Sequence, residues 1–361
     1  MLKDGALWVS GGGPDSDIVV SSRVRLARNL AGVPFPNRAK AGQLEAVLEK
    51  ILHAVESTPS IGPVEVLRLA KMSAVDRQIA VEEHLTSPQH ISEPAGRALV
   101  LNRDNSMCIM INEEDHLRIQ AILPGFQLDQ ALRLAWAADD AVEETIDYAF
   151  DAELGYLAAC PTNVGTGMRA SVMLHLPALA ATNMIGQVLG AVSKVGVAVR
   201  GIYGEGTDAV GNLFQVSNQV TMGRAEEEII AHLRAIVKQI MDSERAARRA
   251  LMNDARMQLE DKIFRSYGLL TNARLMPSEE ALRLISDVKL GGDLGLITNV
   301  PEDLLTRVSV NTMPAHIQRS AGRELSVWER DLARAAMIRE RFGGQAPKRG
   351  RPGDSAADKE E

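Results

Sequence analysis

The stretch RALVLNRDNSMCIMINEEDHLRIQAIL, residues 97–123, holds three apolar runs separated by two short polar segments. The break at residues 102–105 consists of turn-forming residues, so the first two runs are predicted to form a hairpin. The run SMCIMIN is apolar at successive positions, which indicates a strand that is covered on both faces. Three strands that follow one another without a helix favour an antiparallel sheet.

Further strand-like segments lie on both sides of these runs. Residues 17–29, DIVVSSRVRLARN, begin with a short apolar run and predict a strand that leads into arginine-rich chain. Residues 196–205 and 212–223 are two more candidates, separated by a glycine-rich loop. Residues 127–145 have a spacing of Leu, Ala and Val that is typical of a helix. This order predicts an α+β fold, a mainly antiparallel sheet flanked by helices.

The character of the chain changes near residue 225. Residues 225–268 are rich in charge and strongly helical, and they are long enough to bridge two domains. Residues 278–288 and 327–341 are predicted helices, with the sequence GGDLG between them. The last residues are Gly, Pro and charge with almost nothing to bury, which predicts disorder. We therefore expect a first domain over residues 1–249, a helical C-terminal domain over residues 250–342 and a disordered tail over residues 343–361.

Composition limits the function. The 361 residues are 45% hydrophobic and 24% charged, which is the balance of a globular protein. The net charge of −7 argues against a non-specific nucleic-acid binder, because no excess of positive charge is available for phosphates. Two cysteines, Cys108 and Cys160, are too few for a disulfide framework, and no apolar run is long enough to cross a bilayer. We expect a soluble, cytoplasmic protein with neither nucleic acid nor membrane as a direct partner.

Three arginines lie close together in SSRVRLAR. A strand places Arg23 and Arg25 on the same face, where their guanidinium groups repel each other unless an anion lies between them. The pattern fits a solvated strand edge. The alternative is a polyanion site, because the planar fork of arginine suits phosphate oxygens.

Carboxylates crowd the end of the strand SMCIMIN. The segment NEEDHLR brings together Glu113, Glu114, Asp115, His116 and Arg118. Adjacent carboxylates repel each other unless cations or a metal occupy the site. The segment is either a charged strand terminus or a site in which one carboxylate handles a substrate and its neighbour faces a metal shell. Cys108, in the middle of the strand, is predicted to be a small core residue.

The segment CPTNVGTGMRAS, residues 160–171, combines a cysteine, two glycines and an arginine. Gly165 and Gly167 would allow backbone N–H groups to approach an anion closely. The spacing is neither that of a P-loop nor that of a dinucleotide-binding loop. Taken alone, the segment favours a plain turn over a phosphate cradle or a nucleophile.

Four segments occur in a fixed order: SSRVR, NEEDHLR, CPTNVGTGMRA and VRGIYGE…GNLFQVSNQ. Together they resemble the phosphagen-kinase superfamily of ATP:guanido phosphotransferases. The whole chain, down to ERDLARAAMIRERF, resembles the bacterial protein arginine kinases of the McsB type. The resemblance implies a phosphagen-kinase catalytic core in the first domain, with ATP as the phosphoryl donor and Mg²⁺ as its metal.

In that family the loop that contains Gly165 and Gly167 lies against the nucleotide phosphates. The resemblance assigns five arginines to the phosphates and one histidine to the adenine side of ATP, namely Arg23, Arg25, Arg118, Arg169, Arg200 and His84. Five positive charges offset the charge of ATP and of the phosphoryl group in transfer. Arg28 has no counterpart and is left structural. Met173 stands where many members have a histidine, and His175 is not assigned to the adenine pocket.

The resemblance also assigns residues at the guanidino substrate. Glu114 matches the catalytic carboxylate, which would orient the guanidinium and take its proton as the N–P bond forms. Cys160 is implied to act through the charge of its thiolate, with a hydrogen bond from Thr162, and not as a covalent nucleophile. Glu205 matches a second substrate carboxylate, and Glu113 matches the residue that contacts Mg²⁺ through water.

Two features point to a protein as the substrate. Small-guanidine kinases of the superfamily carry a helical domain ahead of the first arginine motif, whereas twenty residues precede Ser21 here, so we expect an open pocket. By its residues alone, the helix ERDLARAAMIRERF is a solvated amphipathic face. The resemblance implies instead an allosteric phosphoarginine site in its R-D-x-x-R-A motif, formed by Arg330, Asp331, Arg334 and Ala335.

The expected function is ATP-dependent phosphorylation of arginine side chains in proteins, which marks them for degradation in a stress response. The alternatives are a free-guanidine phosphagen kinase and a non-catalytic regulator that binds phosphoarginine. The resemblance implies several partners: protein substrates that include a stress-response repressor, a zinc-binding activator of the McsA type, a downstream Clp-type unfoldase and protease, and a second copy in a homodimer.

Overall fold

The computed structural model describes residues 5–201, 209–298, 300–301, 303–342 and, for the backbone alone, 348–349. The strands are β1 Val19–Arg28, β2 Val64–Arg68, β3 Ala98–Asn102, β4 Met107–Ile111, β5 Leu117–Pro124, β6 Phe150–Asp151, β7 Gly155–Tyr156, β8 Met168–His175, β9 Val197–Gly201, β10 Leu213–Asn218, β11 Ile297–Thr298 and β12 Lys348–Arg349. The helices are α1 Ala41–Ser57, α2 Ala74–Glu82, α3 Pro88–Ser92, α4 Leu128–Glu143, α5 Pro177–Ala181, α6 Ile185–Ser193, α7 Glu226–Asp254, α8 Arg256–Asn272, α9 Ser278–Asp293, α10 Ser309–Asn311, α11 Pro314–Ala321 and α12 Val327–Arg341.

An eight-stranded sheet with the strand order β2-β3-β4-β5-β1-β8-β10-β9 forms the centre of the fold. Every pair of neighbouring strands is antiparallel. The predicted hairpin of β3 and β4 is confirmed, and the third apolar run pairs beside it as β5. Strand β1 therefore lies in the middle of the sheet, between β5 and β8.

Residues of β1 alternate between the two faces of the sheet. Val24 and Leu26 point into the larger core, which α4 and α7 form by packing on the sheet, with α1 packed on α4. Arg23 and Arg25 lie on the other face, since successive side chains of a strand point to opposite sides. One face of β1 thus supplies the core and the other supplies positive charge.

The second face carries a smaller core at one end. There Leu99, Cys108 and Ile122 meet the short helical turn Leu7–Ser10, α2 and residues of α10 and α11. The prediction that Cys108 is a core residue is confirmed, since its side chain is buried. Part of the C-terminal region therefore covers the same face of the sheet as the arginines.

The C-terminal region is helical, as predicted, and has its own core. Ile263 of α8, Ile285 of α9 and Ile338 of α12 lie in that core. The predicted long helical segment is divided at Ala255, where α7 ends and α8 begins. Helix α7 runs through the boundary expected between residues 249 and 250.

The sequence GGDLG does not separate two helices as expected, because α9 continues to Asp293. A Cβ on Gly291 would lie 2.5 Å from Cγ2 of Ile263, so the glycine allows α8 and α9 to approach closely. The glycine pair is therefore a helix-packing feature and not a break.

Two residues of the tail that was predicted to be disordered form a short strand. The backbone of residues 348–349 pairs with β11. Strand pairing uses backbone groups and needs no apolar side chain, which is why composition did not predict it. The rest of residues 343–361 lies outside the described part of the chain. None of the helices within the described residues is both long and apolar enough to span a membrane.

Arg28, the third arginine of β1, points into the larger core and is structural, as predicted. Its Nη2 donates to Oδ2 of Asp139 on α4 at 2.6 Å, and its Nη1 donates to the carbonyl oxygen of Thr166 at 2.9 Å. The guanidinium lies over the ring of Tyr156, 3.6 Å from its centroid. Burial raises the pKa of Asp139, and Arg28 opposes that shift. Arg28 therefore joins β1, α4 and the loop before β8.

Replacing Arg28 with Met should lower the free energy of unfolding by about 3–5 kcal/mol, because it leaves a buried carboxylate without its partner. Urea unfolding measures the change. The double variant Arg28→Met with Asp139→Leu should recover most of the loss. Arg256→Met, in an exposed ion pair with Glu260, is the control and should change stability by less than about 1 kcal/mol. A double variant as unstable as the single one would contradict the assignment.

Candidate active site

Strand register brings the predicted arginines together on the second face of the sheet. Arg25 of β1 lies directly opposite Arg169 of β8, and Arg118 of β5 lies opposite Ala27 of β1. Arg200 of β9 lies opposite Gln215 of β10, whose side-chain oxygen accepts a hydrogen bond from Arg23 at 3.0 Å. Directly opposite residues on one face have Cβ atoms about 5 Å apart. Five strands thus contribute to one positively charged surface.

This surface is the floor of two adjoining cavities, which share Arg23, Arg25, Arg118 and Gln215. The first, here called the His84 cavity, has a volume of about 480 Å³ and is also lined by Gln78, Val81, Glu82, His84, Met110, Met313 and Pro314. The second, the Cys160 cavity, has a volume of about 580 Å³ and is also lined by Gln89, Glu114, Cys160, Thr162, Gly167, Arg169 and Arg200. Three of the five arginines lie where the two cavities meet.

The arginine cluster lacks balancing carboxylates. Among the described residues, none of Arg23, Arg25 and Arg169 has an acidic side chain within salt-bridge distance. Burial, with repulsion from Arg118, lowers the pKa of Arg23 to about 10, and burial with repulsion from Arg23 lowers the pKa of Arg25 further. Nε of Arg169 is buried without a hydrogen-bond partner. A polyanion is the ligand that such a cluster fits.

Arg118 is the exception, because it holds both glutamates of NEEDHLR. Its Nη1 lies 2.8 Å from Glu113 and its Nη2 lies 3.0 Å from Glu114. Burial acts to raise the pKa of Glu113, but Arg118 and a hydrogen bond from Ser87 outweigh it, so the pKa is lowered. Burial raises the pKa of Glu114, and its partner Arg118 does not fully compensate. The pKa values of the two neighbours are thus shifted in opposite directions: that of Glu113 is lowered, which favours a permanent charge, and that of Glu114 is raised, which favours uptake of a proton.

Asp115 and His116 of the same segment are structural. Oδ1 of Asp115 accepts hydrogen bonds from Nδ2 of Asn29 and from the backbone N–H of Ala159, both at 2.7 Å. Nδ1 of His116 accepts from the backbone N–H of Leu30 at 3.1 Å. Asp115 therefore fixes the chain next to Cys160, a role that adjacency in sequence could not show.

The segment before β8 is shaped by its glycines. A Cβ on Gly165 would collide with the carbonyl oxygen of Thr221, and one on Gly167 would lie 2.6 Å from that of Ala27. Both residues have positive φ angles, 112° and 65°. Sγ of Cys160 shares a hydrogen bond of 3.0 Å with Oγ1 of Thr162, which is the contact expected between them. Gly167 thus allows the loop to pack beside β1 and lines the Cys160 cavity, and Gly165 allows the loop to pack against the chain that follows β10.

The histidine assigned to the adenine side lines the His84 cavity. The ring of His84 stacks on Trp8 with centroids 5.0 Å apart, and its backbone has a positive φ of 59°. Burial, with repulsion from Arg23, lowers the pKa of His84 to about 3, so the ring is neutral. His175 lies elsewhere: its Nε2 is 2.7 Å from Oγ of Ser286 on α9.

One predicted site residue and two unpredicted ones complete the description of the site. Glu205 lies outside the described residues, so its place is not stated. No group of three potential metal ligands occurs among the described residues. Gln215 and Ser171, which contact Arg23, were missed by sequence reasoning. The only available signal was their alternation with apolar residues on β10 and β8.

The motif on α12 is only partly accessible. Nε of Arg334 donates to the carbonyl oxygen of Thr312 at 2.8 Å, and its Nη1 donates to that of Met276 at 2.7 Å and to Asp331 at 2.6 Å. Ala335 is buried in the C-terminal core. The resemblance implies that Arg334 contacts a phosphate, but in the structure its guanidinium is buried and binds backbone carbonyl oxygens and Asp331. A buried guanidinium needs such hydrogen-bond partners. Arg330 and Asp331 are half-buried at the helix surface.

Replacing Arg25 with Met should raise the stability of the ligand-free protein by about 1 kcal/mol, because it removes a buried charge that has no carboxylate within salt-bridge distance among the described residues. It should also remove most of the stabilisation by inorganic triphosphate, about 2.7 kcal/mol in the wild type at about a hundredfold excess over the dissociation constant. Unfolding with and without triphosphate measures both effects. Arg265→Met, at an exposed position of α8, is the control. Unchanged triphosphate stabilisation in the Arg25 variant would contradict the phosphate site.

The chain is similar in sequence and in fold to known proteins. Residues 46–247 match the family described as ATP:guanido phosphotransferase, C-terminal catalytic domain, and residues 256–352 match the protein-arginine kinase McsB C-terminal domain. The chain is 51% identical to the protein-arginine kinase of Moorella thermoacetica, over 95% of this chain and 99% of the relative. It is 50% identical to that of Symbiobacterium thermophilum, over 93% and 96%.

Among solved structures, lombricine kinase is similar with a TM-score of 0.58 and 26% identity, over 70% of this chain and 74% of that one. The arginine cluster lies within the part that matches the first family, except for Arg23 and Arg25, which precede residue 46. The relatives nevertheless align over nearly the whole chain. The chain belongs to the protein-arginine kinase family of ATP:guanido phosphotransferases.

Proposed function

We propose that this protein transfers the γ-phosphoryl group of ATP to the guanidino group of arginine side chains in proteins. One observation carries the proposal: a cluster of five arginines, of which only Arg118 is ion-paired among the described residues, adjoins a cavity that contains Glu114 and Cys160. The cluster suits the triphosphate, and the carboxylate and thiol suit a guanidinium. Family membership supports the same assignment.

In the proposed reaction the arginines hold and neutralise the phosphates. Arg23, Arg25 and Arg118 lie where the two cavities meet, so they would contact the group in transfer, with Arg169 and Arg200 on its far side. His84, which lines the His84 cavity, would face the adenine of ATP. Charge compensation and alignment of the reactants are most of what phosphoryl transfer requires.

Glu114 acts as the proton acceptor. A guanidinium is protonated at physiological pH and is a poor nucleophile. As a guanidino nitrogen forms its bond to phosphorus, the bond from phosphorus to the bridging oxygen of ADP breaks, and the nitrogen proton passes to Glu114. Because burial raises the pKa of Glu114, this carboxylate accepts a proton more readily than an exposed one.

Cys160 and Glu113 have supporting roles in this proposal. The sulfur of Cys160 would orient the guanidinium, with Thr162 as its hydrogen-bond partner and Glu205 as a second carboxylate. Mg²⁺, when bound with ATP, would neutralise charge on the phosphate oxygens. Glu113 fits a contact with its water, because the lowered pKa keeps this carboxylate ionised.

Family membership extends the proposal to the cell. We propose that the protein works in the cytoplasm as a homodimer and marks proteins, a stress-response repressor among them, for a Clp-type unfoldase and protease. A zinc-binding activator of the McsA type would regulate it. The protein would be organised as a catalytic domain over residues 1–249 and a regulatory domain over residues 250–342.

We also propose that α12 senses phosphoarginine. Arg330 and Asp331 are the accessible members of the motif, and Arg334 orients Asp331 through their 2.6 Å contact. An arginine suits the phosphate and an aspartate suits the guanidinium. Binding would favour the more active arrangement only if the ligand binds that arrangement more tightly.

Incubation with ATP and a generic protein should yield acid-labile phosphoarginine, detected by mass spectrometry. Glu114→Gln should lower this transfer by at least about a thousandfold while ATP binds with nearly wild-type affinity, because the arginines hold the nucleotide. Glu153→Gln, at an exposed turn, is the control. Phosphorylation of free arginine alone would favour the free-guanidine kinase. ATP binding without transfer in the wild type would favour the regulator.

Arg330→Ala should abolish stimulation of the initial rate by free phosphoarginine while the basal rate survives, because Arg334 keeps its internal hydrogen bonds. Arg323→Ala, an exposed arginine paired with Glu329 near the start of α12, is the matched control. Equal stimulation of the Arg330 variant and the wild type would return α12 to a solvated face.

A further inference from the structure

Two distant parts of the chain form the walls of the His84 cavity. Val81 and His84 belong to the end of α2 and the turn after it, whereas Met313 and Pro314 stand at the start of α11. The shape of this cavity therefore depends on how α2 and α11 are held together. Those two helices are in direct contact.

A buried cluster of two glutamates and a histidine makes that connection. Oε1 of Glu82 accepts a hydrogen bond from the backbone N–H of Ala315 at 2.9 Å. Oε2 of Glu82 accepts from the backbone N–H of His316 at 3.2 Å and from its Nδ1 at 2.8 Å. Nε2 of His316 donates to Oε1 of Glu83 at 3.1 Å. Glu82 thus caps a helix whose own N-cap residue makes no side-chain cap, and both ring nitrogens of His316 bind carboxylates.

This arrangement requires a charged imidazole. A neutral ring carries one N–H and can donate to only one of the two carboxylates, whereas an imidazolium donates to both. Burial acts to lower the pKa of His316, but Glu82 and Glu83 outweigh burial and raise it. Other charged groups around the cluster are Arg334 of α12, which interacts with Glu82, and Arg319 and Arg307, which line a cavity with Glu83.

Glu83 connects the cluster to the opposite wall. Its second carboxylate oxygen accepts from the backbone N–H of Ala6 at 3.0 Å, and its carbonyl oxygen accepts from the indole N–H of Trp8 at 2.8 Å. The ring of Trp8 stacks on His84, which lines the cavity. A change at His316 would therefore reach Met313 and Pro314 on one side and the ring of His84 on the other.

We infer that His316, Glu82 and Glu83 are positioning residues for the nucleotide: they clamp α11 to α2, so that a C-terminal helix completes the nucleotide cavity of the catalytic core. The inference rests on the proposed function, because it takes the His84 cavity as the site of ATP. Arg334 reaches the same wall through the carbonyl oxygen of Thr312, the residue before Met313.

His316→Gln should weaken binding of ATP with Mg²⁺ by about fivefold to tenfold, because one wall of the cavity loses its charged contacts. Titration of the purified full chain measures the dissociation constant, and kinetics give KM and kcat. KM for ATP should rise more than kcat falls, since the catalytic carboxylate lies in the other cavity. Glu83→Gln should act in the same direction. It keeps the cap made by Glu82 and serves as the test if His316→Gln fails to fold.

The pH dependence separates a charged clamp from simple packing. A histidine whose pKa is raised in the folded protein contributes fully below its ordinary value of about 6.5, and the contribution is lost as pH rises through the raised pKa. The ratio of dissociation constants, His316→Gln over wild type, should therefore fall toward one as the pH rises above about 6.5 and through the raised pKa of His316. His53→Gln, an exposed histidine on α1, is the control and should show a ratio near one throughout.

The outcomes distinguish this inference from the proposed function. If the wild type does not bind ATP, the proposed function is wrong. If the wild type binds ATP and both folded variants bind it equally well, the clamp does not position the nucleotide. A weakened affinity whose ratio does not change with pH would contradict the imidazolium bridge.

Discussion

Repulsion between guanidinium groups on one face of the sheet is the constraint on which the site depends. Burial, together with repulsion from Arg118 at Arg23 and from Arg23 at Arg25, lowers the pKa of both guanidinium groups. Within the described residues, Arg23, Arg25 and Arg169 have no carboxylate within salt-bridge distance to relieve this repulsion. The cost is tolerated because the central strands are fixed by a large core on the other face. The core on one face of the sheet thus offsets the destabilisation caused by the arginines on the opposite face.

Arg118 links this positive cluster to the two glutamates Glu113 and Glu114. It holds Glu113 and Glu114 at 2.8 Å and 3.0 Å, so one guanidinium faces both neighbours. Ser87 and a backbone N–H add to the charge stabilisation of Glu113, whereas burial dominates at Glu114. Two adjacent glutamates thereby acquire different protonation behaviour from small differences in their surroundings.

The C-terminal helices are part of the site and not an appendage to it. Met313 and Pro314 line the His84 cavity, and Arg334 on α12 holds the carbonyl oxygen of Thr312, the residue before them. The Arg28 contacts on the other face and the His316 contacts on this face have the same physical form: a buried charge joins elements that are distant in sequence. Such contacts hold only when every partner is present.

The sequence alone predicted the antiparallel sheet, because its apolar runs follow one another with short polar segments and no helix between them. Four ordered motifs also identified the family and predicted the arginines that the sheet brings together. Only the tertiary structure decided which distant groups each of several residues contacts, because local sequence patterns carry no information on such contacts. It made Asp115 and His116 structural, used Gly291 for helix packing, buried Arg334 among carbonyls, and joined Glu82 to His316 across more than two hundred residues. The physical reason is that a strand's faces depend on near neighbours, whereas the partner of a buried charge is whichever group folding brings beside it.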